Sequence, residues 1–145
     1  MILLPQRDSI IHRIMLFCEI KPHPRPRINK HTGSIYQPRE TMQELLNELH
    51  IQYKTKKKPY LQHPFILDAY INFDKPPRTK EKHPVAKKYG DEDNLRKSIM
   101  DALQLMEIID DDKLCVGGMT YKAFGQENCA YLEFFSVKND LTVYP

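Results

Sequence analysis

Apolar residues recur at every second position from Arg13 to Ile20, placing Ile14, Leu16, Cys18 and Ile20 on one face; this spacing predicts a β-strand. Between Lys21 and Pro38 the pattern disappears among four prolines and one glycine, which predicts a long loop. Thr41-Met42-Gln43-Glu44 has the form of a capping box, and Met42, Leu45, Leu46, Leu49 and Tyr53 follow at three- and four-residue spacing. That is an amphipathic helix running into Lys54, Lys56, Lys57 and Lys58, cations that suit a helix C-terminus. Phe65, Leu67, Ala69, Ile71 and Phe73 alternate with Ile66, Asp68, Tyr70 and Asn72, giving a second strand.

From Asp74 to Gly90 prolines and lysines dominate, with little to bury, and residues 74–90 are expected to form a mobile basic loop. A second helix is predicted from about Asn94 to Met106 on Leu95, Ile99, Ala102, Leu103 and Met106. After an acidic turn, Lys113 to Phe124 reads as strand interrupted at Gly117-Gly118, and Cys129 to Val137 as the last strand, leaving residues 138–145 as a polar tail. No repeat or internal boundary interrupts residues 1–145. The order of elements predicts a single α+β domain: a mixed, partly antiparallel sheet with two main helices packed on it.

Composition narrows the class. With 41% hydrophobic and 28% charged residues the chain reads as soluble and globular, and its longest apolar run, Ile14 to Cys18, cannot cross a bilayer. Met1-Ile2-Leu3-Leu4 breaks at once into Pro5-Gln6-Arg7-Asp8, which does not read as a signal peptide. Cys18, Cys115 and Cys129 are odd in number and widely spaced, as expected of buried reduced thiols in a cytoplasmic protein, and no Cys/His cluster suggests zinc. Net charge is only +3, but its distribution is uneven. Lys21, Arg25, Arg27 and Lys30 form one basic segment, and Lys75, Arg78, Lys80, Lys82, Lys87 and Lys88 form another; many of the acids crowd between Asp91 and Asp112. Basic segments flanking an acidic focus suit a protein that grips a polyanion and holds a metal ion against it.

The chemistry concentrates in Asp91-Glu92-Asp93-Asn94-Leu95-Arg96-Lys97, followed by Asp101 and Asp110-Asp111-Asp112. At about 100° per residue, Asp93 and Lys97 lie nearly opposite the apolar stripe, so they project together into solvent. Asp93 is a good N-cap, and Asp91, two residues earlier in an extended segment, points the same way. Crowded carboxylates without thiols or imidazoles select Mg²⁺, with Mn²⁺ as substitute, and Asp111 or Asp112 could complete the set. Lys97 would place a cation beside the charge growing on a phosphate. An EF-hand would need an oxygen ligand at Leu95 and a glycine at Arg96, and no phosphate-binding glycine loop or nucleophile elbow is present. Alternatively, Asp-x-Asp is a helix cap and Asp93–Lys97 a surface pair.

Asp91-x-Asp93-Asn94-Leu95-x-Lys97, then Asp101-Ala102-Leu103, then Ile109-Asp110-Asp111-Asp112, resembles the RusA family of Holliday junction resolvases, often carried by phages and prophages. The likeness is specific from Asp91 to Val116; Arg25-Pro26-Arg27 with Tyr36 is similar to an Arg-Pro-Arg loop seen in many members. It implies that Asp91, Asp93 and Asp112 are metal ligands, with Asp111 the less favoured third, and that Lys97 is catalytic. It also implies an intertwined homodimer that nicks two symmetric strands of a four-way DNA junction, in the bacterial or host cytoplasm. Arg25, Arg27, Lys75, Arg78, Lys80, Lys82, Lys87 and Lys88 would bind DNA, and neither a membrane nor a small-molecule cofactor is expected. Two rivals stay open: another branched-DNA or single-strand metal nuclease, and a nucleic-acid-binding protein without catalysis.

Overall fold

The computed structural model describes residues 2–23, 27–36, 40–139 and 142–144; for Arg27, Tyr36, Glu40, Thr41 and 142–144 it describes the backbone alone. In chain order the elements are β1 (Ile2–Leu4), β2 (Arg7–Leu16), β3 (Arg27–Ile28), β4 (Ile35–Tyr36), α1 (Glu40–Gln52), β5 (Phe65–Asp74), α2 (Glu92–Leu105), β6 (Cys115–Gly117), β7 (Thr120–Gly125), β8 (Cys129–Val137) and β9 (Thr142–Tyr144). Single 3-10 turns lie at Lys87–Tyr89 and Asp112–Leu114.

β5 is the centre of the main sheet, and its alternate residues Phe65, Leu67, Ala69, Ile71 and Phe73 form the middle of the core. On one edge it pairs antiparallel with β8, which pairs antiparallel with β2; on the other it pairs parallel with β6 and then β7. Register puts Ile14, Leu132 and Ala69 in one row across three strands, with Leu16, Ala130 and Ile71 in the next. These inward residues pack with Leu45 and Leu49 of α1 and Leu95, Ile99 and Leu103 of α2 in one buried cluster. Burying a side chain of this size stabilises the fold by about 1.5–3 kcal/mol, which fixes which face of each helix turns inward. The fold is a single α+β domain with a mixed sheet and two helices.

α2 ends in a Schellman motif. Ile108 N–H donates to Leu103 O at 2.9 Å and Glu107 N–H to Gln104 O at 3.0 Å. The motif needs a left-handed residue after the cap, and that residue is Glu107 at φ 55° rather than a glycine. Leu103 and Ile108, the two apolar partners of the motif, are both fully buried.

The predicted elements recur, with differences that have physical causes. β2 begins at Arg7, not Arg13, because irregularities between Arg7 and Ile10 and between Ile10 and His12 break the alternation. Cys18 and Ile20 are buried as expected, although they lie beyond the end of the strand. The Lys21–Pro38 segment contains the small hairpin β3–β4, closed over Gly33 at φ 70°, too short to give a periodic signal. α1 starts at Glu40, so Thr41 stands in its first turn instead of capping it. The tail is not wholly free: β9 pairs antiparallel with β1, joining the two ends of the chain. The 74–90 segment does bury something, since Pro84 is buried and Tyr89 packs against Phe73 and Phe124 at ring distances of 4.8 and 5.5 Å.

The strain at the end of α2 is testable. Glu107→Gly removes the penalty for a side chain in the left-handed region and should raise stability by about 1 kcal/mol. A chemical-denaturation midpoint higher than wild type, at unchanged slope, is the expected result.

Candidate active site

The site is assembled from the start of α2, the turn after α2 and the break between β6 and β7. Gly90 turns the chain into α2 at φ 76°, and Pro22 packs so closely that a Cβ on Gly90 would lie 2.5 Å from the proline ring. Lys122 Nζ of β7 holds the same turn by donating to Gly90 O at 2.7 Å. Asp91 occupies the N-cap position, with φ −79° and ψ 153°, but its side chain makes no capping bond. Asp93 lies inside the first helical turn; it is not the cap, and the two aspartates do not form an extended i, i+2 pair. Leu95, Ile99 and Leu103 are buried, so Asp93 and Lys97 face solvent. Although four residues apart, they form no ion pair within 4 Å, which leaves both charges unpartnered among the described residues.

In the acidic turn the three consecutive aspartates have different tasks. Leu61 N–H donates to Ile108 O and Asp110 N–H to Leu61 O, so the segment before β5 straps the turn down. Tyr60 OH donates to Asp110 Oδ1, and this bond raises the tyrosine above its ordinary range. Asp111 caps the 3-10 turn by accepting from Lys113 N–H at 2.9 Å. That bond, with help from the Asp112 side chain and the Lys113 ammonium, holds the Asp111 carboxyl below the usual carboxylate range. Asp112 is exposed, and its carboxylate has no cation or amide of this kind bonded to it among the described residues.

The third wall is the strand break. At Gly118 the backbone passes β5 so closely that a Cβ would sit 1.8 Å from Leu67 O, and φ is +120°. Asp68, buried in β5, accepts Met119 N–H at 2.9 Å and two bonds from the Arg7 guanidinium at 2.7 and 3.2 Å. From the helix side, Arg96 donates to Gly117 O and Thr120 Oγ1, each at 3.1 Å. Between these elements lies an open cleft of about 580 Å³ lined by Asp93, Arg96, Lys97, Asp112 and the Gly117–Gly118 backbone. A neighbouring hollow of about 310 Å³ is shared by Glu92, Asp93, Arg96, Gly118 and Tyr121.

Thus Asp93, Lys97 and Asp112 share one cleft, while Asp91 stands at the helix cap outside its lining and Asp111 is engaged in the turn. Among the described residues no three carboxylate, imidazole or thiol groups converge closely enough to enclose a metal ion by themselves. Lys75, Arg78, Lys80, Lys82, Lys87 and Lys88 are all exposed, with Lys88 over the Tyr89 ring at 5.0 Å. Arg25 lies outside the described residues, and the side chain of Arg27 does too. The chain leading to them is tied to α2, where His23 Nε2 lies 2.9 Å from Asp101 Oδ2. Cys18 and Cys129 are buried and Cys115 is half-buried, all unpaired; burial pushes the Cys18 thiol up to about 12. No helix among the described residues is long and apolar enough to cross a membrane.

The family model for endodeoxyribonuclease RusA matches residues 18–133. The chain belongs to the RusA endodeoxyribonuclease family. Membership gives this RusA-family chain its class of activity, cleavage within DNA, and the matched span contains the whole cleft. No curated protein matches it significantly.

Two residues that shape this RusA-family site escaped the sequence pattern. Asp68 is a lone acid within the strand run Phe65–Phe73, which alternation assigns to the polar face although it is buried. Arg96 stands beside the more conspicuous Lys97. The closeness of Gly118 to β5 yields a further prediction. Gly118→Ala should destabilise the fold by about 3 kcal/mol or more, because backbone must move to admit the methyl group. Thermal melts of the two proteins at one pH measure it.

Proposed function

We propose that this endodeoxyribonuclease resolves four-way DNA junctions by Mg²⁺-dependent paired nicking as a homodimer. The observation that carries the reading is the cleft, where Asp93 and Lys97 from α2 meet Asp112 from the following turn with none of them in an ion pair among the described residues. An ordinary surface pair would have closed Asp93 on Lys97; Asp112 meets the neighbouring Asp111 carboxylate but has no cation partner among the described residues.

The donor chemistry fits a hard divalent cation, since the acids offer only carboxylate oxygen. Mg²⁺ is commonly held by one or two protein carboxylates, keeping waters and taking phosphate oxygens for the rest. Asp93 and Asp112 would hold it, with Asp91 at the helix cap contributing charge or a further ligand; Mn²⁺ would substitute. The bound cation would supply Lewis-acid polarisation of the phosphate. Lys97, projecting into the same cleft, would stabilise charge that develops on the phosphate in the transition state. Lys75, Arg78, Lys80, Lys82, Lys87 and Lys88, with Arg25 and Arg27, would bind backbone phosphates and orient the junction without reading bases. Two equivalent strands at a junction match the twofold axis of a homodimer. A cytoplasmic location accords with the unpaired cysteines.

A synthetic four-way junction incubated with protein, with and without Mg²⁺, tests this directly. Paired symmetric nicks that require the metal are expected; intact DNA across a range of protein and metal concentrations would refute it. Asp91→Asn, Asp93→Asn and Asp112→Asn should each reduce the cleavage rate by several orders of magnitude while leaving the fold intact, because neutralising a crowded carboxylate relieves repulsion. Asp110→Asn and Asp111→Asn should affect the rate less than Asp112→Asn, since their carboxylates serve the turn. Lys97→Ala should lower the single-turnover rate with little change in junction affinity. Light scattering at working concentration should report a dimer.

Binding separates from chemistry in salt. Reversing charge at Lys75 to Lys88 should weaken junction affinity and flatten the plot of log affinity against log salt, by about 0.9 for each duplex phosphate that the protein ceases to neutralise. An unchanged slope would remove this segment from the DNA-binding surface.

A further inference from the structure

Arg96 lies in α2 between buried Leu95 and exposed Lys97, and is itself half-buried. One guanidinium nitrogen, Nη2, donates to Gly117 O at 3.1 Å and to Cys115 Sγ at 3.3 Å; the other, Nη1, donates to Thr120 Oγ1 at 3.1 Å. These acceptors lie on both sides of the break between β6 and β7. All three are uncharged, and among the described residues Arg96 makes no ion pair. A cation partly withdrawn from water without a counter-charge carries a desolvation cost that a neutral side chain would avoid. What a neutral chain cannot supply is the planar fork, whose donors have fixed directions and hold several acceptors at once.

The location gives the fork its consequence. Asp93 is one turn before Arg96 on the same helix and Lys97 follows it directly, whereas Asp112 lies three residues before Cys115 on the strand side. Asp93, Arg96 and Gly118 line both hollows of the site. The helix also meets β7 through Lys122 and Gly90, but that contact is at the N-terminal turn, ahead of Asp91. Among the described residues Arg96 is the α2 side chain that joins the helix to the strand break, while at the far end of the helix Gln104 Oε1 accepts Asp112 N–H at 3.3 Å.

We propose that Arg96 is a positioning residue for the hydrolysis: its fork sets the separation between Asp93–Lys97 on α2 and Asp112 beside β6. The inference rests on the nuclease reading above. Misplacing reacting groups by about 1 Å can cost on the order of 100-fold in rate, so loss of the fork should be visible in chemistry before it is visible in DNA binding.

The test compares wild type, Arg96→Met and Arg96→Lys as full-length proteins, each checked for cooperative melting. Three quantities are measured: single-turnover cleavage of a four-way junction at saturating Mg²⁺, junction affinity in EDTA, and Mn²⁺ affinity of the DNA-free protein by calorimetry. Arg96→Met should cleave roughly 100-fold more slowly while binding the junction within about threefold of wild type. It should also bind Mn²⁺ about tenfold more weakly, as loss of a supporting residue around a metal site does. The sign of the Mn²⁺ change is decisive. If Arg96 acted only as a nearby charge, removing it would tighten Mn²⁺ binding. Arg96→Lys keeps the charge without the fork and should recover only part of either loss. Wild-type cleavage by Arg96→Met, tighter or unchanged Mn²⁺ binding, or full recovery in Arg96→Lys overturns the proposal.

Should Arg96→Met fail to fold, Arg96→Lys and Thr120→Val carry the comparison. Several-fold weaker Mn²⁺ binding in both supports positioning, and wild-type values in both refute it. If wild type leaves every branched DNA intact, the nuclease reading fails by itself. The Mn²⁺ titration then still decides whether Arg96 spaces the carboxylates.

Discussion

The close passage of Gly118 over Leu67 is the constraint on which the site depends. A parallel strand beside β5 would run straight if every residue carried a Cβ at ordinary distance. Here the backbone comes so near that only a glycine fits, and φ at +120° suits no other residue. The strand divides into β6 and β7, and the exposed amide of Met119 is satisfied by the buried Asp68 carboxylate. Ala69 N–H returns a bond to Met119 O at 2.8 Å, locking the displaced backbone to β5. Arg7 supplies the charge that Asp68 requires, which explains why an acid survives in the middle of a buried strand. The break then offers Gly117 O and Thr120 Oγ1 to Arg96 and opens the cleft that Asp93, Lys97 and Asp112 line.

Acids in this chain divide into those with partners and those without. Asp68 is paired with Arg7, Asp101 with His23, Asp110 with Tyr60 and Asp111 with the amide of Lys113. Each of these bonds stabilises a local structure by roughly the amount of one net hydrogen bond. Asp93 and Asp112 have no cation or amide partner of this kind among the described residues, although the Asp112 side chain also helps hold Asp111, and both line a cleft with a lysine. Asp93 and Asp112 bring two negative charges to the same cleft from different elements. Their arrangement is sustained by the rest of the fold, and the metal proposed for the site would offset their charge.

α2 is the hub that makes this arrangement rigid. Its buried face anchors it to the sheet, and three flanking segments are fastened to its ends. Pro22 and His23 hold its start, through Gly90 and through the Asn94 carbonyl, which accepts His23 N–H at 3.2 Å. Lys58 Nζ donates to Met106 O at 2.7 Å at its far end, where Leu61 straps the acidic turn. Tyr89 brings the end of the basic segment back into the core. The lysines of this segment therefore hang from a fixed frame, with their charges outside and one aromatic ring inside.

Elements that depend on local periodicity, and chemistry that depends on residue identity, can be read along the chain. The central strand β5, its neighbour β8 and both helices follow from apolar spacing, because burial of a stripe or a face demands that spacing. The outward projection of Asp93 and Lys97 follows in the same way from the positions of Leu95, Ile99 and Leu103. The Asp-x-Asp-Asn-x-x-Lys run was specific enough to suggest the family. Whatever depends on contacts between distant residues emerges with the packed fold. It paired β1 with β9, moved the helix cap from Asp93 to Asp91, and placed Asp112, rather than Asp110 or Asp111, on the lining of the cleft. It also gave Asp68 and Arg96 their tasks, which no window of sequence displays. A hydrogen bond or a close backbone approach is set by where two segments meet, and that meeting is a property of the packed chain rather than of either segment.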